Sequence, residues 1–308
     1  MSLESQITDV AQRLHVDAIG FVPLTRGVSS STEHIYSKWL EQGKHGSMSY
    51  LEEHLSLRLN PQKLLEGARS VIVIAISYYP QKLQPISAPQ IAKYALGRDY
   101  HKVIRKLLKN FGDAINDEVA PHEYRAMVDT APFFERYWAE QSGIGFIGRH
   151  HNLIIPRVGS FVFLGELLTT LELNGTTQTH VGCGACRRCI EACPTGALSD
   201  GLMDARRCIN YLTIEHRGEI PAELSPLFGT RLYGCDTCQN VCPYNRSPHS
   251  GCHFIPSSRL LQLDRSDLVN FTEERYAHIF YGSACTRAKY EGMSRNVSIY
   301  LKNNPPVK

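Results

Sequence analysis

The chain has 308 residues, of which 43% are apolar and 20% charged, and a formal net charge of +3. These are ordinary values for a globular protein of one or two domains. No stretch of 18 apolar residues occurs, so the sequence predicts no membrane-spanning helix. The first residues lack a basic segment followed by an apolar stretch, and we therefore expect a cytoplasmic protein that needs no membrane.

The first part of the chain alternates predicted helices and strands. Apolar periodicity predicts helices over 5–14, 32–42, 100–119 and 133–141, and strands over 18–22, 70–79, 124–129 and 161–171. The third helix has Val103, Leu107, Phe111 and Ile115 at helical spacing. Thr32 is a candidate N-cap for the second helix. This pattern indicates an α/β or α+β domain that is large enough for its own core.

All ten cysteines follow residue 182, and a loop is predicted just before them. We therefore place a domain boundary within 174–182. The predicted units are a first domain over 1–175, a cysteine-rich module over 176–250 and a short, mostly helical tail over 251–308. The fold class that follows is α+β.

The cysteines form two motifs and three single positions. The motifs are C-x2-C-x2-C-x3-C-P from Cys183 and C-x2-C-x3-C-P from Cys235. Disulfides rarely persist in the cytoplasm, so this many cysteines indicates metal binding or catalysis. The first motif is the bacterial ferredoxin run, in which three cysteines bind one [4Fe–4S] cluster and the fourth binds a second cluster. The second motif is one cysteine short, and Cys208 can supply the missing ligand.

The spacing thus predicts ligands for two [4Fe–4S] clusters. The first cysteine set is Cys183, Cys186, Cys189 and Cys242, and the second cysteine set is Cys193, Cys208, Cys235 and Cys238. A zinc ribbon is the alternative, but the four-cysteine run and the repeated Cys-Pro pair fit it poorly. Cys252 and Cys285 stand alone, and we expect both to be small buried side chains.

Other sequence motifs spread over most of the chain carry a family resemblance. They are RDYH at 98–101, VDTAP at 128–132, GIGFIG at 143–148, LGELL at 164–168, YLTIE at 211–215 and YGCDTCQ at 233–239. Together with the cysteines they resemble epoxyqueuosine reductases, which are related to reductive dehalogenases. The resemblance implies a cobalamin-dependent oxidoreductase that reduces epoxyqueuosine to queuosine in tRNA. It also implies that a corrinoid lies between the first domain and a ferredoxin-like two-cluster module.

The resemblance assigns roles to individual residues. Asp129 matches a general acid, and we expect its pKa to be raised so that it can protonate the oxygen released from an epoxide. The alternative is that Asp129 caps the following helix. The positions that match the corrinoid site are Arg58, His150, His151, Asn152, Asn210, Tyr211 and Leu212. The resemblance implies no histidine ligand below cobalt.

The expected partners are a tRNA with a queuosine-type anticodon and an unidentified low-potential electron donor, with the protein acting as a monomer. Three basic groups are candidates for tRNA contact: Lys102, Arg105, Lys106 and Lys109; Arg187 and Arg188; and Arg206 and Arg207. Each can equally be a solvated charged face. Two other functions stay open, namely a related reductase that acts on a small molecule and a non-catalytic two-cluster electron carrier. The long first domain argues against the carrier.

Overall fold

The computed structural model describes residues 1–25, 27–177 and 182–306. Strands are numbered in chain order. They are β1 (Ala18–Pro23), β2 (Ser70–Ser77), β3 (Gln90–Ile91), β4 (Tyr124–Met127), β5 (Phe146–Ile147), β6 (Leu153–Ile154), β7 (Val162–Thr169), β8 (Leu198–Ser199), β9 (Leu202–Met203) and β10 (Arg231–Tyr233).

The helices follow the same convention, with short 3-10 turns left unnumbered. They are α1 (Leu3–Arg13), α2 (Ser30–Glu41), α3 (Leu55–Leu59), α4 (Tyr100–Glu118), α5 (Glu135–Gln141), α6 (Arg188–Glu191), α7 (Ile209–Ile214), α8 (Thr237–Asn240), α9 (Ser258–Leu261), α10 (Arg265–Leu268), α11 (Glu273–Phe280) and α12 (Lys289–Asn303). In the described part of the chain, no helix combines the length and the apolar character needed to cross a membrane.

The main sheet has four strands in the order β1-β2-β7-β4, and all neighbours are antiparallel. Side chains alternate between the two faces of a strand. On β2, Ile72, Ile74 and Ile76 pack with residues of α1 and α4, whereas Val71 and Val73 pack on the other face with Trp138 of α5. Because both faces are covered, β2 is buried along its whole length, which explains its continuous apolar run.

The helices and strands predicted for the first domain are all present, and the mixed helix-and-sheet class is confirmed. One local prediction was wrong, and one alternative reading is excluded. Ser29, not Thr32, caps α2, because the Ser29 side chain accepts a hydrogen bond from the Thr32 backbone N–H. Asp129 does not cap α5, which begins at Glu135 after the N-cap residue Phe134.

The cysteine-rich region consists of short elements that join the first domain and the tail. β10 pairs in parallel with β3, and the mostly helical tail packs on this pair. One apolar cluster contains Leu96, Tyr233 and Phe280, which come from all three predicted units. The division at 175 and 250 stays a prediction, and residues 178–181 and 307–308 of the predicted units lie outside the described residues.

Candidate active site

A cavity of about 580 Å³ lies between the first domain and the cysteine-rich region. One part of its wall comes from the segment after β4, with Asp129 and Glu135, and another from α7, with Asn210 and Tyr211. Its wall also includes the whole second cysteine set, namely Cys193, Cys208, Cys235 and Cys238. The fold therefore brings the predicted acid and one predicted set of cluster ligands to the same space.

Asp129 is held in the cavity wall by two neighbours on α4. It follows the end of β4 by two residues and adopts φ +49°, a left-handed conformation that is uncommon for a residue other than glycine. The Tyr100 hydroxyl donates a hydrogen bond of 2.9 Å to Asp129 Oδ2, and His101 Nε2 lies 2.9 Å from the same oxygen. The Asp129 side chain is 52% exposed, and because it lines the cavity, this exposed part faces the cavity.

His101 lies between two carboxylates. Its Nδ1 is 2.8 Å from Asp99 Oδ1, while its Nε2 faces Asp129. Burial alone lowers the pKa of His101, but hydrogen bonds with Asp129 and Asp99 outweigh this and raise the pKa above its usual value. The two carboxylates therefore favour the protonated form of the His101 ring.

The expectation of a raised pKa at Asp129 was wrong. Burial favours its neutral form, but the hydrogen bonds from His101 and Tyr100 hold the pKa of Asp129 below its usual value. The carboxyl groups whose pKa is raised are instead those of Glu135 and Glu166. Burial, followed by the nearby Asp129 charge, raises the pKa of Glu135 to about 8, and burial raises the pKa of Glu166 well above its usual value.

Glu135 and Glu166 were not assigned roles from the sequence. The Glu135 carboxylate accepts a hydrogen bond from the Asp129 backbone N–H. Glu166 lies on β7 opposite Val73 and Met127 and is 0% exposed, with no hydrogen-bond partner on either oxygen. The sequence did offer one signal for Glu166, because it is the only glutamate in the apolar strand predicted over 161–171. Tyr100, His101 and Glu135 occur in or beside the family motifs but have no distinctive spacing.

Four of the seven predicted corrinoid contacts line the cavity, namely His150, Asn152, Asn210 and Tyr211. His150 is 4% exposed; its Nδ1 accepts a hydrogen bond from the Asn152 backbone N–H, and its Nε2 has no partner. Burial lowers the pKa of His150 to about 4, so the ring is neutral at neutral pH. This buried, unpartnered nitrogen and the surrounding aromatic walls fit a large polar cofactor.

The other three predicted contacts are not in the cavity wall. Arg58 on α3 donates a hydrogen bond to the Tyr50 carbonyl oxygen, and its Nε is buried without a partner. The carbonyl oxygen of His151 accepts a hydrogen bond from Arg136, whose side chain does line the cavity. Leu212 is 1% exposed and packs in an apolar cluster.

The cysteine thiols are arranged in neighbouring groups, and all ten are free. Burial raises the pKa of Cys242, and the nearby Cys183 and Cys186 thiols raise it further. Burial likewise raises the pKa of Cys208 to about 11, with further contributions from Cys235 and Cys193. These neighbours follow the two predicted sets. Within the described residues, no three His, Cys, Asp or Glu side chains are arranged to hold a single metal ion.

The two single cysteines differ from each other. Cys285 is fully buried, as expected. The prediction that Cys252 is buried was wrong, because its side chain is exposed. It lies in the irregular segment that leads from the cysteine-rich region into the tail, where no helix or strand covers it.

The three basic groups lie in different surroundings. On α4, Arg105 donates a 2.9 Å hydrogen bond to Thr130, the residue after Asp129, so Arg105 lies next to the segment that carries Asp129. Arg206 is paired with Asp204, and Arg187 with Asp200. Arg188 lies beside a second surface depression near Cys242.

Comparisons with known proteins give one consistent family. A family model described as "Epoxyqueuosine reductase QueG" matches residues 58–130, and a "4Fe-4S double cluster binding domain" matches residues 182–245. An epoxyqueuosine reductase of Cellulophaga algicola is 41% identical over 268 residues, which cover 86% of this chain and 87% of the relative.

Two solved structures of such reductases have the same fold. An epoxyqueuosine reductase from Bacillus subtilis, with its catalytic aspartate loop swung out of the active site, matches with a TM-score of 0.86 and 28% identity, covering 98% of this chain and 82% of that one. An epoxyqueuosine reductase with an epoxyqueuosine-modified tRNA stem loop matches with a TM-score of 0.83 and 28% identity, covering 98% and 81%.

Proposed function

The chain belongs to the epoxyqueuosine reductase family, and we propose that it reduces epoxyqueuosine to queuosine in the anticodon loop of tRNA, at the wobble position. One observation carries this proposal: a single cavity joins the hydrogen-bonded Asp129 carboxylate to the four thiols of the second cysteine set. Removal of an epoxide oxygen as water consumes two electrons and two protons. A site for this reaction must therefore combine an electron path with proton donors, and the cavity has candidates for both.

We assign the two cysteine sets to two [4Fe–4S] clusters and the cavity to cobalamin. The thiol groupings support the cluster ligands, and the unpartnered His150 Nε2 supports a polar cofactor in the cavity. His150, Asn152, Asn210 and Tyr211 would hold this cofactor. When bound, the clusters and cobalamin supply the electron path and the metal centre at which the epoxide carbon–oxygen bond is reduced.

Asp129 and His101 handle the proton. Both hydrogen bonds to Asp129 reach Oδ2, so neither of them occupies Oδ1 of this cavity-lining residue. The proton is held at His101 Nε2, because the two flanking carboxylates stabilise the charged ring. Asp129 takes this proton on its carboxylate and passes it to the released oxygen, so that it acts as a relay rather than as a permanently protonated acid. His101 is partly exposed and takes a second proton from solvent, and a second passage through Asp129 completes the water. The Tyr100 hydroxyl donates to the same oxygen and helps to orient the carboxylate.

The tRNA approaches the open side of the cavity, where Asp129 is exposed. Arg105 lies beside the segment that carries Asp129, so it can contact a phosphate there. The modified base leaves the anticodon-loop stack to reach the cavity, as base-modifying enzymes require. We propose that the protein acts in the cytoplasm as a monomer.

The test is deoxygenation of a tRNA stem loop containing epoxyqueuosine by anaerobically reconstituted protein with dithionite as reductant. We expect conversion to queuosine that requires both iron and corrinoid. Full conversion by protein that has been stripped of corrinoid would contradict the proposed cofactor. Failure to convert the stem loop with both cofactors bound would contradict the proposed function itself.

A further inference from the structure

A second concave surface is lined by the last residue of α8 and by the segment that follows it. We call it the arginine depression: a space of about 560 Å³ bordered by Arg188, Glu191, Asn240, Cys242 and Arg246. Thr237, Cys238 and Gln239 of α8 line the cavity, whereas Asn240 and the residues up to Pro243 line the arginine depression. The first cysteine set, through Cys242, therefore borders this depression, while the second set borders the cavity.

The two cysteine sets meet between these spaces. α6, which carries Cys189, packs against α8, which carries Cys238. A path from the arginine depression to the cavity thus runs through the first set and then the second.

The arginine depression has more positively charged than negatively charged side chains around it. Arg188 and Arg246 are exposed, and no ion pair joins either of them to a carboxylate of the described residues. Glu191 is the acidic side chain among the described lining residues. Just outside, Arg149 and Arg187 share a single carboxylate, that of Asp200. Four arginines therefore face two acids around the thiols of the first set.

We infer that the arginine depression is the docking site for a small acidic one-electron carrier protein, an inference that rests on the proposed reductase function. Electrons must be delivered at short range, and this depression is where a protein partner can approach the first cysteine set. Carrier complexes are transient and small, and complementary charge speeds their formation. In each docking event the carrier loses one electron and one cluster gains it. Two docking events therefore supply the two electrons that the reduction of one epoxide consumes.

The test uses a charge-reversal pair, Arg188→Glu with Arg246→Glu, in full-length protein with both clusters bound. The matched control reverses two exposed lysines elsewhere, Lys82→Glu with Lys302→Glu. The probe is a fluorescently labelled acidic plant-type ferredoxin, whose Kd is measured by anisotropy at low and at physiological salt. We expect the Kd to rise about tenfold or more in the arginine pair at low salt and to change little in the lysine pair.

Further measurements on the same proteins separate the alternatives. We expect iron content, dithionite-driven conversion of the tRNA stem loop and the Kd for that stem loop to be unchanged in the arginine pair. Arg188 was a candidate for tRNA contact from the sequence, but it lines the depression and not the cavity, and the inference replaces that role. An unchanged ferredoxin Kd would overturn the inference. Weaker stem-loop binding would assign the depression to tRNA instead, and loss of iron would show that the arginines only balance the cluster charge. If dithionite-driven conversion fails in the unaltered protein, the proposed function fails, while the ferredoxin Kd still decides the docking site.

Discussion

At Asp129 the local environment favours the ionised carboxylate, because Tyr100 and His101 both bind Oδ2. If this carboxylate relays a proton, an amide of the same shape cannot replace it. We predict that Asp129→Asn lowers the rate of deoxygenation by about 10²- to 10⁴-fold, the range typical of general acid–base catalysis, while stem-loop affinity is nearly unchanged. Single-turnover rates and binding should be measured on the same preparation.

The matched control for this change is Asp117→Asn, an exposed position on α4 that lies outside the cavity. It should keep the rate of the unaltered protein. A rate for Asp129→Asn within about threefold of this control would remove the carboxylate from the proton path. The left-handed backbone at Asp129 disfavours larger side chains, so the isosteric amide is the cleanest substitution.

Glu135 leads to a prediction about pH. Its pKa is raised from 4.5 to about 8 by burial and by the Asp129 charge. Between these two values the folded protein binds a proton at Glu135 that the unfolded chain has released, so raising the pH through this window destabilises the fold. We predict that Glu135→Gln, which cannot ionise, shows a smaller fall in Tm between pH 5.5 and pH 8 than the unaltered protein. Parallel Tm profiles would contradict the raised pKa.

At the scale of elements, the sequence was most informative where a single physical pattern dominates. Cysteine spacing predicted the two thiol groups, because ligands of a cluster have to lie close together whatever surrounds them. Helical period predicted α4, and the apolar run predicted β2. Strand direction could not be predicted, because a strand that is buried on both faces has the same composition in either orientation. The capping residue Ser29 was missed because Thr32, in the same turn, is an equally good cap by residue type.

The cavity wall was predicted less completely than the cysteines. His150, Asn210 and Tyr211 were expected there and are present, but Leu212 turns into the core because α7 buries that face. The pair formed by Glu135 and Asp129, and the unpartnered Glu166, depend on how α5 packs on the sheet. Sequence periodicity indicates that α5 exists but does not give its rotation about its own axis, so these contacts could not be derived.

The proposed cluster ligands Cys189 and Cys238 lie on α6 and α8, and the assignment gives a prediction about iron content. Cys208 is in the second set and lies just before α7. We predict that Cys208→Ala lowers iron from about eight to about four atoms per chain, with the cluster of the first set retained. Cys252→Ala, at an exposed cysteine outside both sets, should keep about eight.

Anaerobic iron analysis and electron paramagnetic resonance on the same samples measure both outcomes. Loss of the signals of both clusters in Cys208→Ala with the fold intact would show that the two sets are not independent. Eight retained irons would remove Cys208 from the ligands. Either result would change the assignment of the sets without changing the fold.

For the whole molecule, the question is whether the tail is a separate unit. Phe280 of α11 is 0% exposed and shares an apolar cluster with Leu232 and Tyr233 of β10, which leads directly to Cys235. The Tyr233 hydroxyl also donates a 2.7 Å hydrogen bond to the carbonyl oxygen of Ala284 in the tail. Through these contacts the tail packs against the cluster-binding module and stabilises it.

This arrangement predicts that damage to the tail destabilises the clusters. Phe280→Ala should cost about 3–5 kcal/mol, and the cluster absorbance should be lost at the same lowered temperature as the helical circular dichroism signal. Tyr281→Ala, next to it but 81% exposed, should change stability by less than about 0.5 kcal/mol. If the tail folded independently, Phe280→Ala would lower only part of the helical signal and leave the cluster transition in place, because no buried contact would connect the two.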